Sequence, residues 1–327
     1  MNDKRNNCLT LLKMISCFGV VFIHLIFPGN LGVVIKHTFS FAVPVFIMIA
    51  GYYSYGCDET KIKKRLIRTL KIFLFGYFCY FSFYFLVNLM NHRLGIWLST
   101  NYTFETLIKY VIFCKVDFCI PLWYLIAMAE TYLLWLFVMK FDRINILKKM
   151  TLFFLLLGTM LTIIVDTLDL GWMYKTNFIC KALPWFLIGY QMKESWENRL
   201  TAISNFRLLC YATTGLVITL YPILMDTKID FNDLGVLLTA PSLFMIGVKN
   251  PNIKISNLIR YIGDTLSMHI YIFHLLVAKV VNSISEKFID NSTYIYIYPV
   301  LVLILTILVS HVFEIILNRT NTKHLLR

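Results

Sequence analysis

The stretch Leu9–Pro28, LTLLKMISCFGVVFIHLIFP, decides how the chain is read. It is an apolar run long enough to cross a bilayer as a helix, which takes about 20 residues. It also carries two ionisable side chains, Lys13 and His24. Eleven positions separate them, which at about 100° per residue is three turns plus about 20°. Both therefore project from one face, about 16 Å apart along the axis. An amine or imidazole inside hydrocarbon is costly unless it faces a cavity or a partner. Two on one face predict a polar groove running from one membrane surface into the protein.

The rest of the chain agrees with a membrane setting. Of 327 residues, 58% are hydrophobic and 15% charged, an apolar share above that of soluble domains. Apolar spans fall at roughly 9–28, 36–55, 71–90, 120–139, 150–166, 176–191, 207–225, 232–248, 261–282 and 294–317. The expected fold class is all-α, a polytopic membrane bundle of about ten transmembrane helices. It forms one integral-membrane domain over residues 1–327, with no separate soluble domain. Lys4 and Arg5 before an apolar run resemble a signal peptide, but no small-x-small cleavage site follows, so an uncleaved first helix is expected.

A net charge of +13 raises nucleic acid as a partner, but the basic residues form short clusters beside the spans, which is the pattern of a topology signal. The loops after spans two, four, six and eight carry Lys61, Lys63, Lys64, Arg65, Arg68 and Lys71; Lys140, Arg143, Lys148 and Lys149; Lys193, Arg199 and Arg207; and Lys249, Lys254 and Arg260. Both tails are basic as well, with Lys4 and Arg5 at one end and Arg319, Lys323 and Arg327 at the other. The alternate loops hold fewer cations, among them Lys228 and Lys287. Both termini are then expected to be cytoplasmic. Lys13 lies near the cytoplasmic end of span one and His24 in its outer half. Span nine enters from the same side at about Tyr261, which brings His274 to a depth matching His24. The eight cysteines show neither CxxC nor Cys/His ligand spacing, so no metal centre is expected. Cys114 and Cys119 share one loop, where they either bridge on an oxidising side or remain free thiols.

Several stretches carry a family resemblance. Lys13-x10-His24 resembles the Arg-x10-His signature of the integral-membrane acyltransferase 3 family. FAVPVFIMIAGYY (Phe41 to Tyr53), the basic KKRLIRTL after it, PLWYL (Pro121 to Leu125), ALPWFLIGY (Ala182 to Tyr190) and YIGDTLSMHIYIFHLLV (Tyr261 to Val277) are similar to further family segments in the expected order. His274 falls on that family's later His. Two positions depart: Lys13 stands where Arg is more usual, and Thr10 where an Asp commonly sits three residues earlier. Lys keeps the charge but lacks the planar fork that grips phosphate bidentately.

The resemblance implies a membrane O-acyltransferase moving an acyl group, mostly acetyl, from cytosolic acetyl-CoA to a hydroxyl of a cell-surface polysaccharide or lipid-linked glycan precursor, in the cell membrane. On that reading His24 is general base or transient acyl carrier. Lys13, Arg65 and Arg68 take the phosphates of the donor. His274 orients His24 or lines the acceptor site. Trp123 and Tyr124 either belong to an aromatic belt or stack on a sugar. Glu130, costly in the middle of a span, is expected beside a cation such as Lys181 or Lys13. His311 and Glu314 share one helical face and carry no assigned work. The alternative is a permease or glycan-export partner without acyl transfer, although the broken-helix symmetry of many transporters is not seen. A third option is a membrane module that binds a small amino acid and feeds a separate enzyme.

Overall fold

A computed structural model describes residues 6–195, 202–225, 232–285 and 292–320, without the side chains of Asp166, Trp172, Met173, Ser285, Ser292 and Thr293. Lys4, Arg5, Arg199, Lys228, Lys287, Lys323 and Arg327 lie outside the described residues. Among the described residues there are helices and no strand. In order they are α1 (Asn7–His24), α2 (Gly29–Thr38), α3 (Ala42–Tyr52), α4 (Glu59–Met90), α5 (Leu94–Asn101), α6 (Phe104–Ile112), α7 (Trp123–Lys140), α8 (Ile144–Lys149), α9 (Thr151–Thr167), α10 (Leu183–Ser195), α11 (Asn205–Leu224), α12 (Asn232–Lys249), α13 (Asn257–Tyr261), α14 (Ser267–Ser285) and α15 (Ser292–Arg319). Two π-helical turns, Phe178–Ala182 and Ile262–Leu266, lead into α10 and α14.

Among the described residues, seven helical stretches are long and apolar enough to cross a membrane: Asn7–His24, Gly29–Tyr52, Glu59–Met90, Ile120–Lys140, Asn205–Leu224, Asn257–Ile284 and Tyr294–Arg319. The chain is thus an all-α polytopic bundle. The other three expected spans are helical too, but α9 and α10 are shorter and α12 carries Asp233 and Lys249 at its ends.

Local chemistry sets the ends. The Asn6 side chain caps α1 by accepting from the Leu9 amide at 2.9 Å. The apolar run continues to Pro28, yet the helix stops at His24. Proline disfavours helical geometry at the residue before it, here Phe27, and Gly29 takes φ +62°. Asp58 caps α4 through the Lys61 amide at 2.8 Å. At 32 residues, α4 is about 48 Å long, against a hydrocarbon core of about 30 Å. Its first turns, with Lys61, Lys63, Lys64, Arg65 and Arg68, are the part that need not sit in lipid.

The helices gather into two units. One takes the described residues of 1–49 and 192–321, the other those of 50–191. In the first, α1 packs against α2, α12, α13, α14 and α15. Cys17 and Val21 of α1 and its C-cap Leu25 meet Ile262, Leu266 and Ile270, together with Val302 and Leu303 of α15. In lipid such apolar packing has no hydrophobic driving force behind it, so close approach and interhelical hydrogen bonds matter more. α11 and α12 show this: a Cβ on Gly215 would lie 2.5 Å from the Gly235 carbonyl, and one on Gly235 would lie 2.4 Å from the Gly215 carbonyl. The second unit is built on Trp135 of α7, which meets Phe186 at 5.1 Å and Tyr190 at 4.6 Å between ring centroids.

Candidate functional site

α1 and the α13–α14 segment run side by side in the first unit, joined at two levels. At the first level, Thr10 Oγ1 donates to Asp264 Oδ1 at 2.9 Å and Lys13 Nζ stands 3.5 Å from the same oxygen. Asp264 sits on the π-helical turn Ile262–Leu266, and such turns recur at functional sites. Gly263 makes the approach possible, because a Cβ there would lie 2.3 Å from the Thr10 carbonyl oxygen. Between the levels, the Cys17 thiol donates to the Ser267 carbonyl at 3.4 Å.

The second level is a pair of imidazoles. The His24 and His274 rings lie 5.3 Å apart between centroids, tilted by 37°. Eleven positions from Lys13 and ten from Asp264 bring both chains to this depth, about 15–16 Å further along. His274 is fully buried. Its Nδ1 lies 2.8 Å from the Tyr271 carbonyl and 3.2 Å from that of Ile270. A carbonyl only accepts, so Nδ1 carries the hydrogen and Nε2 of the neutral ring keeps its lone pair. That Nε2 is buried and meets no hydrogen-bond partner among the described residues, and neither does the Ser16 hydroxyl, one turn beyond Lys13 on α1. His24 is only partly buried and sits at the last position of its helix, where the turn to α2 opens the backbone. Lys36, in the last turn of α2, acts on it electrostatically.

The remaining expected site residues belong to the second unit. The Arg65 guanidinium is spent largely on the end of α3. It donates to the Tyr53 carbonyl at 2.7 Å, the Ala50 carbonyl at 3.4 Å and Ser54 Oγ at 3.2 Å. These include carbonyls that a helix end leaves without an intrahelical partner. Arg68, three residues on, is exposed. Trp123 and Tyr124 open α7 and are partly buried. The expected cation beside Glu130 is not what the structure places there: the Cys114 thiol donates to Glu130 Oε2 at 3.2 Å. Lys13 is held by Asp264, and Lys181 reaches Thr162 Oγ1 at 3.4 Å. Cys114 takes φ +52° in the loop between α6 and α7. Both Cys114 and Cys119 are buried free thiols, and burial, with Glu130 beside it, pushes the Cys114 thiol well above its ordinary range.

Sequence reading missed Asp264 and Lys36. The signal for Asp264 was present, as a lone carboxylate in the apolar stretch from Tyr261 to Val277. Lys36 carries no such signal, standing as the first residue of an apolar span. Among the described residues, no group of three or more His, Cys, Asp or Glu side chains is arranged to hold a metal ion.

A family model described as an acyltransferase domain matches residues 6–314, almost the whole chain. No curated protein and no solved structure matches it.

Proposed function

The chain belongs to the acyltransferase 3 family and is a membrane acyltransferase, and from that premise we propose that it takes an acetyl group from cytosolic acetyl-CoA and places it on a hydroxyl of a cell-surface polysaccharide or lipid-linked glycan precursor, in the cell membrane. The observation that carries this reading is the His24–His274 pair at 5.3 Å.

A thioester is activated enough to be attacked by a hydroxyl once a base removes the proton. His24 takes the acceptor's O–H proton as the oxygen bonds to the acyl carbon. The C–S bond then breaks, and the imidazolium returns the proton to the CoA thiolate. His274, held by the Tyr271 carbonyl, lies with its ring beside the partner imidazole and positions it. Lys36, which acts electrostatically on His24, is the cation we assign to the negative charge developing on the acyl oxygen. Lys13 takes a donor phosphate, its ammonium aimed by Asp264. Of the two arginines, Arg68 is the more exposed and is the one we assign to a phosphate. In the second unit, Trp123 and Tyr124 remain the aromatic candidates for a sugar, and Glu130 accepts from the Cys114 thiol.

The test is transfer of labelled acetyl from acetyl-CoA to added glycan by the purified chain in proteoliposomes. His24→Ala is expected to abolish transfer while expression and melting temperature are kept. Transport of a solute with no acetyl-CoA requirement, and transfer undiminished in His24→Ala, would overturn the reading in favour of a permease.

A further inference from the structure

We propose that α6 is an in-plane membrane helix, its apolar arc seated in the headgroup–acyl boundary at the membrane face where α4 ends and α7 begins. Placed on a wheel of about 100° per residue, Phe104, Leu107, Ile108, Val111 and Ile112 fall within about 140°. Glu105, Thr106, Lys109 and Tyr110 fill the opposite side. None of the nine residues is buried, and the apolar five are all exposed, Phe104 at 80% and Val111 at 67%. In contact with water this would be a costly surface, whereas in an interface it is the pattern of a helix lying flat.

The polar side is accounted for within the protein. Thr106 Oγ1 and Tyr110 Oη both donate to the Asn101 carbonyl, at 3.0 and 3.1 Å, and Glu105 pairs with Lys109. These bonds turn the apolar arc away from α5. In turn, Trp97 anchors α5 on α4, stacked 6.4 Å from Tyr84 and 5.7 Å from Phe81. The occupant follows from the chain: α4 and α7 are both membrane-crossing by length and composition. α6 starts 14 residues after α4 ends, and its last residue is eight before Ile120. Leu86, Leu89 and Met90 of α4 and Ile120 are themselves exposed at that level, so the lipid that covers them is continuous with the face of α6. The Glu105–Lys109 pair leaves the helix without net charge, so the attachment is apolar and insensitive to anionic lipid.

Spin labels at Leu107→Cys, Val111→Cys and Glu105→Cys test this in the full chain, reconstituted in phosphatidylcholine liposomes, with Cys210→Ser removing the exposed native thiol and the parent protein setting the label background. Phe104→Cys replaces either apolar site should one variant fail to fold. At positions 107 and 111, dissolved oxygen is expected to relax the label several-fold more than a water-soluble nickel chelate, and at 105 the order reverses. Nickel reaching 107 and 111 as readily as 105 would show a solvated face. Exclusion of both agents there would show a protein cover, such as a second copy. Either result overturns the proposal.

Discussion

Gly263→Ala is the most informative single change in the candidate site. The added Cβ would lie 2.3 Å from the Thr10 carbonyl oxygen and 3.1 Å from Thr10 Cγ2, where ordinary contact begins near 3.4 Å. The obstacle is backbone, which cannot swing aside, so α1 and the π-helical turn must part by about 1 Å. That is enough to stretch the 2.9 Å Thr10–Asp264 bond and the 3.5 Å Lys13–Asp264 pair. Overpacking of this kind costs about 1–3 kcal/mol, and a displacement of about 1 Å in a reacting constellation can cost on the order of 100-fold in rate. The assay pairs thermal unfolding in detergent with acetyl transfer in proteoliposomes. The expected result is a lower melting temperature together with a transfer rate down by one to two orders of magnitude. A variant that melts and turns over like the parent would refute the claim that α1 and α14 are locked at this level.

Three further outcomes follow from the same geometry. Asp264→Ala and Lys13→Met should each lower stability, and the double variant should cost less than their sum, because removing one partner strands the other charge; strict additivity in unfolding midpoints would deny the pair. His274→Asn keeps an amide donor near the Tyr271 carbonyl but removes Nε2, so kcat should fall on the order of 10- to 100-fold, the range for groups that orient a reacting partner, with the melting temperature and acceptor KM unchanged. A thiol whose pKa is raised holds less thiolate at a given pH, so Cys114, lifted by burial and then by Glu130, should resist maleimide across pH 7–9 and react only on unfolding.

Fold class and the main axis of the site were legible because they are periodic. Lys13 and His24 share a face by helix geometry alone, and the positions of Tyr261 and His274 matched them in depth. What the sequence hid is long-range or stereochemical. Asp264 lies 251 positions from Lys13, and no local pattern joins them. Hydropathy continues from His24 through Ile26 to Pro28, so it cannot register that the helix ends at His24, four residues short of the proline. The apolar reading of α4 began near residue 71, although Asp58 caps it 13 positions earlier, because a span search ignores charged turns. Glu130 meets a thiol rather than a cation, a pairing of Cys114 with a residue 16 positions on that no composition foretells.

The central claim is that the acyl group leaves its thioester beside the paired imidazoles of α1 and α14. Release of free CoA thiol, followed in proteoliposomes given acetyl-CoA and acceptor, tests it most directly. The parent chain is expected to release thiol steadily, and His24→Ala of unchanged melting temperature to lose that release by at least about 100-fold, as for removal of a general base. Release at the parent rate from a folded His24→Ala protein would contradict it.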